Sequence, residues 1–185
     1  MNKVKFGLSN VHIYPIQSDE STGTKYAEGM AVPGAVSLSL KAEGTTESFH
    51  ADNIAYFVSS SNNGYSGDLE MALLPDDFIT KILGAKKDEQ SGVLIETADD
   101  KNTAFALAFQ FEGDENGIRH IMYKCTATRP SIEGSTKTEK TDPKTEKFTF
   151  TATARVFDKR IKAKCEKGST AYDKFFDKPY EAATV

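Results

Sequence analysis

Residues 32–84 read VPGAVSLSLKAEGTTESFHADNIAYFVSSSNNGYSGDLEMALLPDDFITKILG, and this stretch decides the fold. Val36, Leu38 and Leu40 alternate with Ser37, Ser39 and Lys41; Ile54, Tyr56 and Val58 repeat the period of two, as do Leu69, Met71 and Leu73. Alternation at that period marks strands with one face to bury. Asn62, Asn63 and Gly64 tolerate positive φ and reverse the chain between the second and third strands. Pro75 presets φ for a first helical turn, Asp76 and Asp77 suit a helix N-terminus, and Gly84 suits a left-handed end. The spacing predicts a helix over about 75–83, with Phe78, Ile79, Ile82 and Leu83 in one apolar stripe.

Outward from that stretch the pattern stays β. A short strand is expected over about 5–13, with Pro15 ending it or marking an edge, and 17–30 reads as a polar loop or arm. Gly44 in Ala42–Ser48 predicts the tip of a projecting hairpin (42–48), with 49–58 running back. The strongest strand follows: Phe105, Leu107, Phe109 and Phe111 point one way, and Ala104, Ala106 and Ala108 point the other, so that something can pack closely behind. After the turn Glu112–Gly117, a return strand places Ile121, Tyr123, Cys125 and Ala127 inside and His120, Met122, Lys124 and Thr126 outside. Residues 129–147 form a long polar loop without apolar period. Phe148, Phe150, Ala152 and Ala154 make another strand, 155–165 its hairpin partner, and Tyr172, Phe175 and Phe176 a terminal helix or arm. The expected fold is mainly β: one domain over 1–185, an antiparallel β-sandwich or partly closed barrel with one flanking helix.

At 185 residues the chain is long enough to bury a core without metal or disulfide support. Its longest apolar run is far below a membrane span, and MNKVKFGL at the start lacks a signal-peptide core, so synthesis in the cytoplasm is expected and Cys125 and Cys165 read as small buried hydrophobes. The net charge of −4 hides an uneven distribution. Residues 43–115 hold 15 acidic side chains against 4 lysines, whereas 148–178 hold 8 basic against 4 acidic. Different patches of opposite sign attract copies head to tail, although solvated faces alone account for such runs.

Candidates for chemistry are few. His12, His50 and His120 have no metal-ligand spacing to one another or to a cysteine. On a regular strand His50 and Asp52 share a side, as a base and its orienting carboxylate do, and so do polar residues at a solvated strand end. Gly64–Gly67 lacks the Gly-x-Ser-x-Gly spacing of a nucleophile elbow. Asp99–Asp100 and Asp114–Glu115 are turns without the alternating oxygen ligands of a calcium loop, and no phosphate or dinucleotide loop occurs. These readings favour a structural or interaction protein.

The ordered blocks PGAVSLSL (33–40), ADNIAYF (51–57), NNGYSGDLEMALLPDDF (62–78), FALAFQFEGD (105–114), RHIMYKCTATRPSIEG (119–134) and FTFTATAR (148–155) resemble the major tail protein, or tail tube protein, family of long non-contractile-tailed phages and prophages of Gram-positive bacteria. The resemblance runs from about Lys5 to Tyr180. It implies a β-sandwich or barrel with a flanking helix, hexameric rings stacked into a tube for DNA ejection, and residence in the virion tail after synthesis in the host cytoplasm. It implies neither catalysis nor cofactor. Implied partners are further copies of the chain, the tape measure protein, and tail initiation and termination proteins, with DNA passing transiently and without sequence preference.

On that basis Glu43, Gly44, Thr45 and Thr46, with Glu133, Lys137, Lys140 and Lys144, are expected at ring-stacking or intersubunit contacts. Glu43, Glu47, Asp52, Asp68 and Glu70 are expected to face the lumen, where acidic groups avoid gripping phosphate. The runner-up is a monomeric β-sandwich module that binds a ligand or receptor through its long loop. A hydrolase ranks far behind, because no nucleophile, base and orienting acid group together.

Overall fold

The computed structural model describes residues 3–113, 115–134, 136 and 143–182. In chain order these form β1 (Leu8–Glu20), β2 (Gly23–Tyr26), β3 (Met30–Ala31), β4 (Ala35–Glu43), β5 (Thr46–Ala51), β6 (Ile54–Ser60), β7 (Gly64–Met71), α1 (Asp76–Lys81), β8 (Lys86–Lys87), β9 (Leu94–Ile95), β10 (Phe105–Phe111), β11 (Ile118–Ala127), β12 (Glu146–Ala152) and β13 (Lys162–Glu166). The main sheet runs β2-β1-β10-β11-β12-β7-β4, and every pairing in it is antiparallel.

β11 turns this sheet into a sandwich. One edge of it pairs with β10 throughout, while the other serves β13 along Ile118–Met122 and β12 along Cys125–Ala127. Between those two halves the register with β10 slips, Phe105 facing Cys125 but Leu107 facing Met122, so β11 carries one extra residue. Such a bulge bends the strand and reverses which residues face inward. Tyr123 and Ile121 therefore pack on one side of the sheet while Met122 and Cys125 pack on the other, correcting the expected single inner face of Ile121, Tyr123, Cys125 and Ala127.

The larger core lies between the layers, where Val11 and Ile13 of β1 and Phe105, Leu107 and Phe109 of β10 meet Leu69, Met71, Phe148 and Phe150. α1 covers it with Phe78, whose ring centroid lies 4.9 Å from that of Phe148 and 6.2 Å from that of Phe105. Pro75 is the N-cap, with extended ψ, rather than a residue of the first turn; Gly84 takes the expected left-handed conformation at φ +85°.

Behind β10 the small side chains have their expected consequence. Ala106 and Ala108, with Tyr14, Ile121, Tyr123 and Cys165, form a second core beneath the C-terminal segment, which contributes buried Phe175. That segment is a series of turns rather than a helix. It is strapped down by the Tyr14 hydroxyl donating to the Phe176 carbonyl, the Tyr123 hydroxyl donating to Tyr180 (2.7 Å), and the Arg119 guanidinium donating to the Tyr172 carbonyl.

Three expectations about connectivity change. Residues 17–30 are not an arm: they complete β1 and form β2 and β3, which pair along it. Pro15 does not end β1, because it sits opposite Phe105 and its carbonyl accepts from Ala27 at 2.8 Å. β13 pairs with β11, not with β12.

Candidate interaction surface

Beyond the ends of β4 and β7, at Glu43 and Gly64, the chain leaves the body of the sandwich as a two-stranded ribbon of β5 and β6. β5 and β6 pair only with each other, from Thr46 opposite Ser60 to Ala51 opposite Ile54. The projecting hairpin is thus 46–60, with its apex at Asp52 and Asn53, both left-handed at φ 50° and 63°. This corrects the placement of the tip at 42–48. Gly44 lies at the neck, where a Cβ would come within 2.2 Å of the Ser61 carbonyl. Thr45 accepts from Ser61 N and Glu43 accepts from Asn63 N, each at 2.9 Å, so Glu43, Gly44, Thr45 and Thr46 form the hairpin's root.

The hairpin exposes apolar groups on both faces. Phe49 and Phe57, opposite each other, are 64% and 61% exposed, and Tyr56 is 69% exposed. A register slip between Phe49 and His50 makes Tyr56 the extra residue, which places Ile54 on the face of Phe49 and Phe57 instead of the face of Val58. Ile54, Tyr56 and Val58 were expected to bury one face; here none of them is covered. On the shared face Phe49, Ile54 and Phe57 leave on the order of 300 Å² of contiguous apolar surface, the size of the largest patch on an ordinary monomer, which is often functional, and Val58 adds to the other face. The remaining charges, Glu47 and Asp52, are exposed. Asp52 has turned out of the strand, so its expected pairing with His50 on a shared side does not apply.

The outer face of β4, β7 and β12 is a polar carpet. Asp68 accepts from Thr149 (2.8 Å) and faces Lys147 (3.4 Å); Glu70 accepts from Thr145 and from Ser37 (2.8 Å); Glu43 accepts from Ser66 (2.6 Å) and lies 3.8 Å from Lys41. The Thr149 bond to Asp68 and the Thr145 bond to Glu70 hold both carboxyls below the usual range. Of the five acidic residues expected to share a surface, Glu43, Asp68 and Glu70 come together, and Glu47 and Asp52 stand apart on the hairpin. Register missed by sequence reading also placed Lys41 and Lys147 among them, which leaves the face nearly neutral.

The polar loop emerges at the other end of this face. Glu146 pairs with Met71, whereas the hairpin leaves at Glu43 and Gly64, about 25 Å away at the strand rise. Glu133 and Lys144 are exposed; Lys137 and Lys140 lie outside the described residues.

Among the described residues no group of three or more His, Cys, Asp or Glu is placed to hold a metal, and both cysteines are buried free thiols. Burial pushes the Cys125 thiol up, away from reactivity. No helix among them is long and apolar enough to cross a membrane. A scan of protein-family models finds no match to this chain, and a search of the curated proteins finds none either.

Proposed function

We propose that the chain is a structural subunit that assembles with its own copies into hexameric rings stacked as a phage tail tube, a conduit for DNA, without catalysis or cofactor. The observation that carries this reading is the 46–60 hairpin, whose aromatic side chains stand in water in the single chain. Apolar area of that size on a two-stranded ribbon is stabilised when a partner covers it. β4 adds a second open feature, a nine-residue strand at the end of the main sheet whose outer edge is available to a neighbour's backbone. A face of threonine, serine and compensated charges suits a wall along which DNA slides. Tape measure, initiation and termination proteins are the further partners in this reading.

The same aromatic cluster favours a second reading, a monomeric module that grips a ligand or receptor. Its expected mark, clustered exposed aromatics, is present, though on the hairpin and not on the long loop. Negative-stain microscopy of concentrated protein, with mass by light scattering, separates the two. Rings or hollow tubes are expected; monomers that also fail to add to a tail-tip initiation complex would move the assignment to the binding module.

A further inference from the structure

This inference rests on the tube-subunit reading and asks what covers the hairpin. Tyr65 and Ala152 are paired at the end of the β7–β12 ladder where the hairpin leaves. Beyond Ala152 the chain enters 153–161, which exposes Val156 and Phe157. A shallow groove there is lined by Gly23 and Thr24 of β2, by Phe157, Asp158 and Arg160 of this loop, and by Glu181 and Ala182 of the strap. Its shape is fixed in advance: Val156 N donates to Asp19 (3.1 Å), Arg160 N donates to Asp158 (3.1 Å), and Arg155 anchors the loop from beneath. A preformed acceptor spares the ordering cost of binding.

Charge selects the occupant. Within 153–168 Arg155 and Arg160 are paired with Asp158 and Glu181, and Lys164 with Glu166. The groove itself is therefore compensated, and the positive charge offered to a partner is that of exposed Lys159 and Lys162 at its margin. The hairpin holds Glu47 and Asp52 without a lysine or arginine. Lys159 is exposed, and Lys162 lies with its ammonium 4.4 Å from the Tyr65 ring. Both surfaces combine exposed aromatic area with charge of opposite sign. An acidic apex also disfavours an anionic membrane. We infer that the hairpin of one copy lays its Phe49, Ile54 and Phe57 face on the Phe157 groove of a second copy, with Glu47 and Asp52 meeting Lys159 and Lys162. The two patches are different, so the contact is heterologous and propagates from copy to copy. They lie at the same end of the sandwich, and rotation about an axis along the strands keeps them level. The contact is therefore lateral, within a ring, and stacking falls to other elements.

The test uses the full chain, with hairpin variant Glu47→Lys/Asp52→Asn, groove variant Lys159→Asn/Lys162→Glu, and their combination. Asparagine keeps the left-handed backbone at 52 and 159 comfortable. Sedimentation and microscopy at low salt read assembly, and thermal unfolding checks the fold. Each variant alone is expected to raise the concentration for half-assembly at least about ten-fold, and the combination to recover most of that loss. Should Lys162→Glu lower the melting temperature, Phe157→Ser supplies the groove variant. Parent rings with no effect of either variant, or with no recovery in the combination, overturn the lateral docking and leave the tube reading in place. Single rings that persist while stacking is lost overturn the lateral assignment. A parent that never associates, even on an initiation complex, overturns both readings.

Discussion

Arg155 is the one charged side chain among the described residues that is buried, at 1% exposure. Its guanidinium donates to Asp158 (2.7 and 2.6 Å), to both oxygens of Glu181 and to the Tyr26 hydroxyl (3.4 Å), and lies 4.4 Å from the Tyr123 ring centroid. Removing it leaves Asp158 and the half-exposed Glu181 to Arg160 alone, at 3.1 and 3.6 Å, so Arg155→Met is expected to cost about 2–3 kcal/mol in urea unfolding, with little rescue by lysine, which lacks the planar fork. The Arg155 bonds hold the Asp158 carboxyl down to about 2. A depressed carboxyl contributes its full stabilisation above its unfolded value near pH 4 and loses it as pH falls through about 2, so the difference between parent and variant narrows over that window. His120 acts at milder pH. Its ring stacks on Phe109 at 5.2 Å and meets Phe111 edge-on at 5.7 Å, and burial, aided by Lys5, Lys162 and Lys164, lowers its pKa to about 4. The unfolded chain binds this proton near pH 6.5 and the folded chain only near 4, so stability falls as pH drops between the two and this group adds nothing further below. In unfolding measured from pH 7 to 4, His120→Phe is expected to flatten that slope.

At the scale of elements, the hairpin is separable from the body that bears it. Replacing 46–60 by a two-residue turn on the Thr45–Ser61 neck is expected to leave the melting temperature within a few degrees, since its large side chains bury little in the single chain, and to abolish assembly in sedimentation. The sequence made the alternating face of β10, the inner residues of β7 and β12, and the helix with Phe78 legible, because each has a large-small or apolar-polar contrast across one sheet. β2 and the far half of β1 were hidden: their half-buried positions are filled by polar residues such as Asp19 and Thr24, which bond to each other, Asp19 also to Lys124, so no apolar period marks them. Gly44 drew the hairpin tip to itself because glycine normally signals a turn, but its need is for space against Ser61, and the turn uses Asp52 and Asn53. Bulges in β6 and β11 moved side chains across their sheets without any mark in the residue pattern. The acidic residues of β7 were found, but Lys147, which faces Asp68, comes from β12 and Lys41 from β4, which no local reading joins.

At the scale of the molecule, two open ends and one polar wall define a brick with a direction. In the tube reading the wall of Asp68 and Glu70 borders the lumen. Reversing both to lysine is expected to leave rings and tubes intact, because these side chains lie on the solvent face of the sheet, and to slow DNA release in an ejection assay; unchanged release would place the wall elsewhere. The strap adds a matter of timing. Tyr14 leaves the ribosome 162 residues ahead of Phe176, so its hydroxyl waits for that carbonyl, and the back of β10 stays bare until Phe175 arrives. A nascent chain therefore displays its hairpin long before it can finish its second core. The order of synthesis makes this later-made segment a seal on the sandwich, and ribosome-stalled chains ending before 169 should remain open to protease along β10 while those extended past Tyr180 resist it.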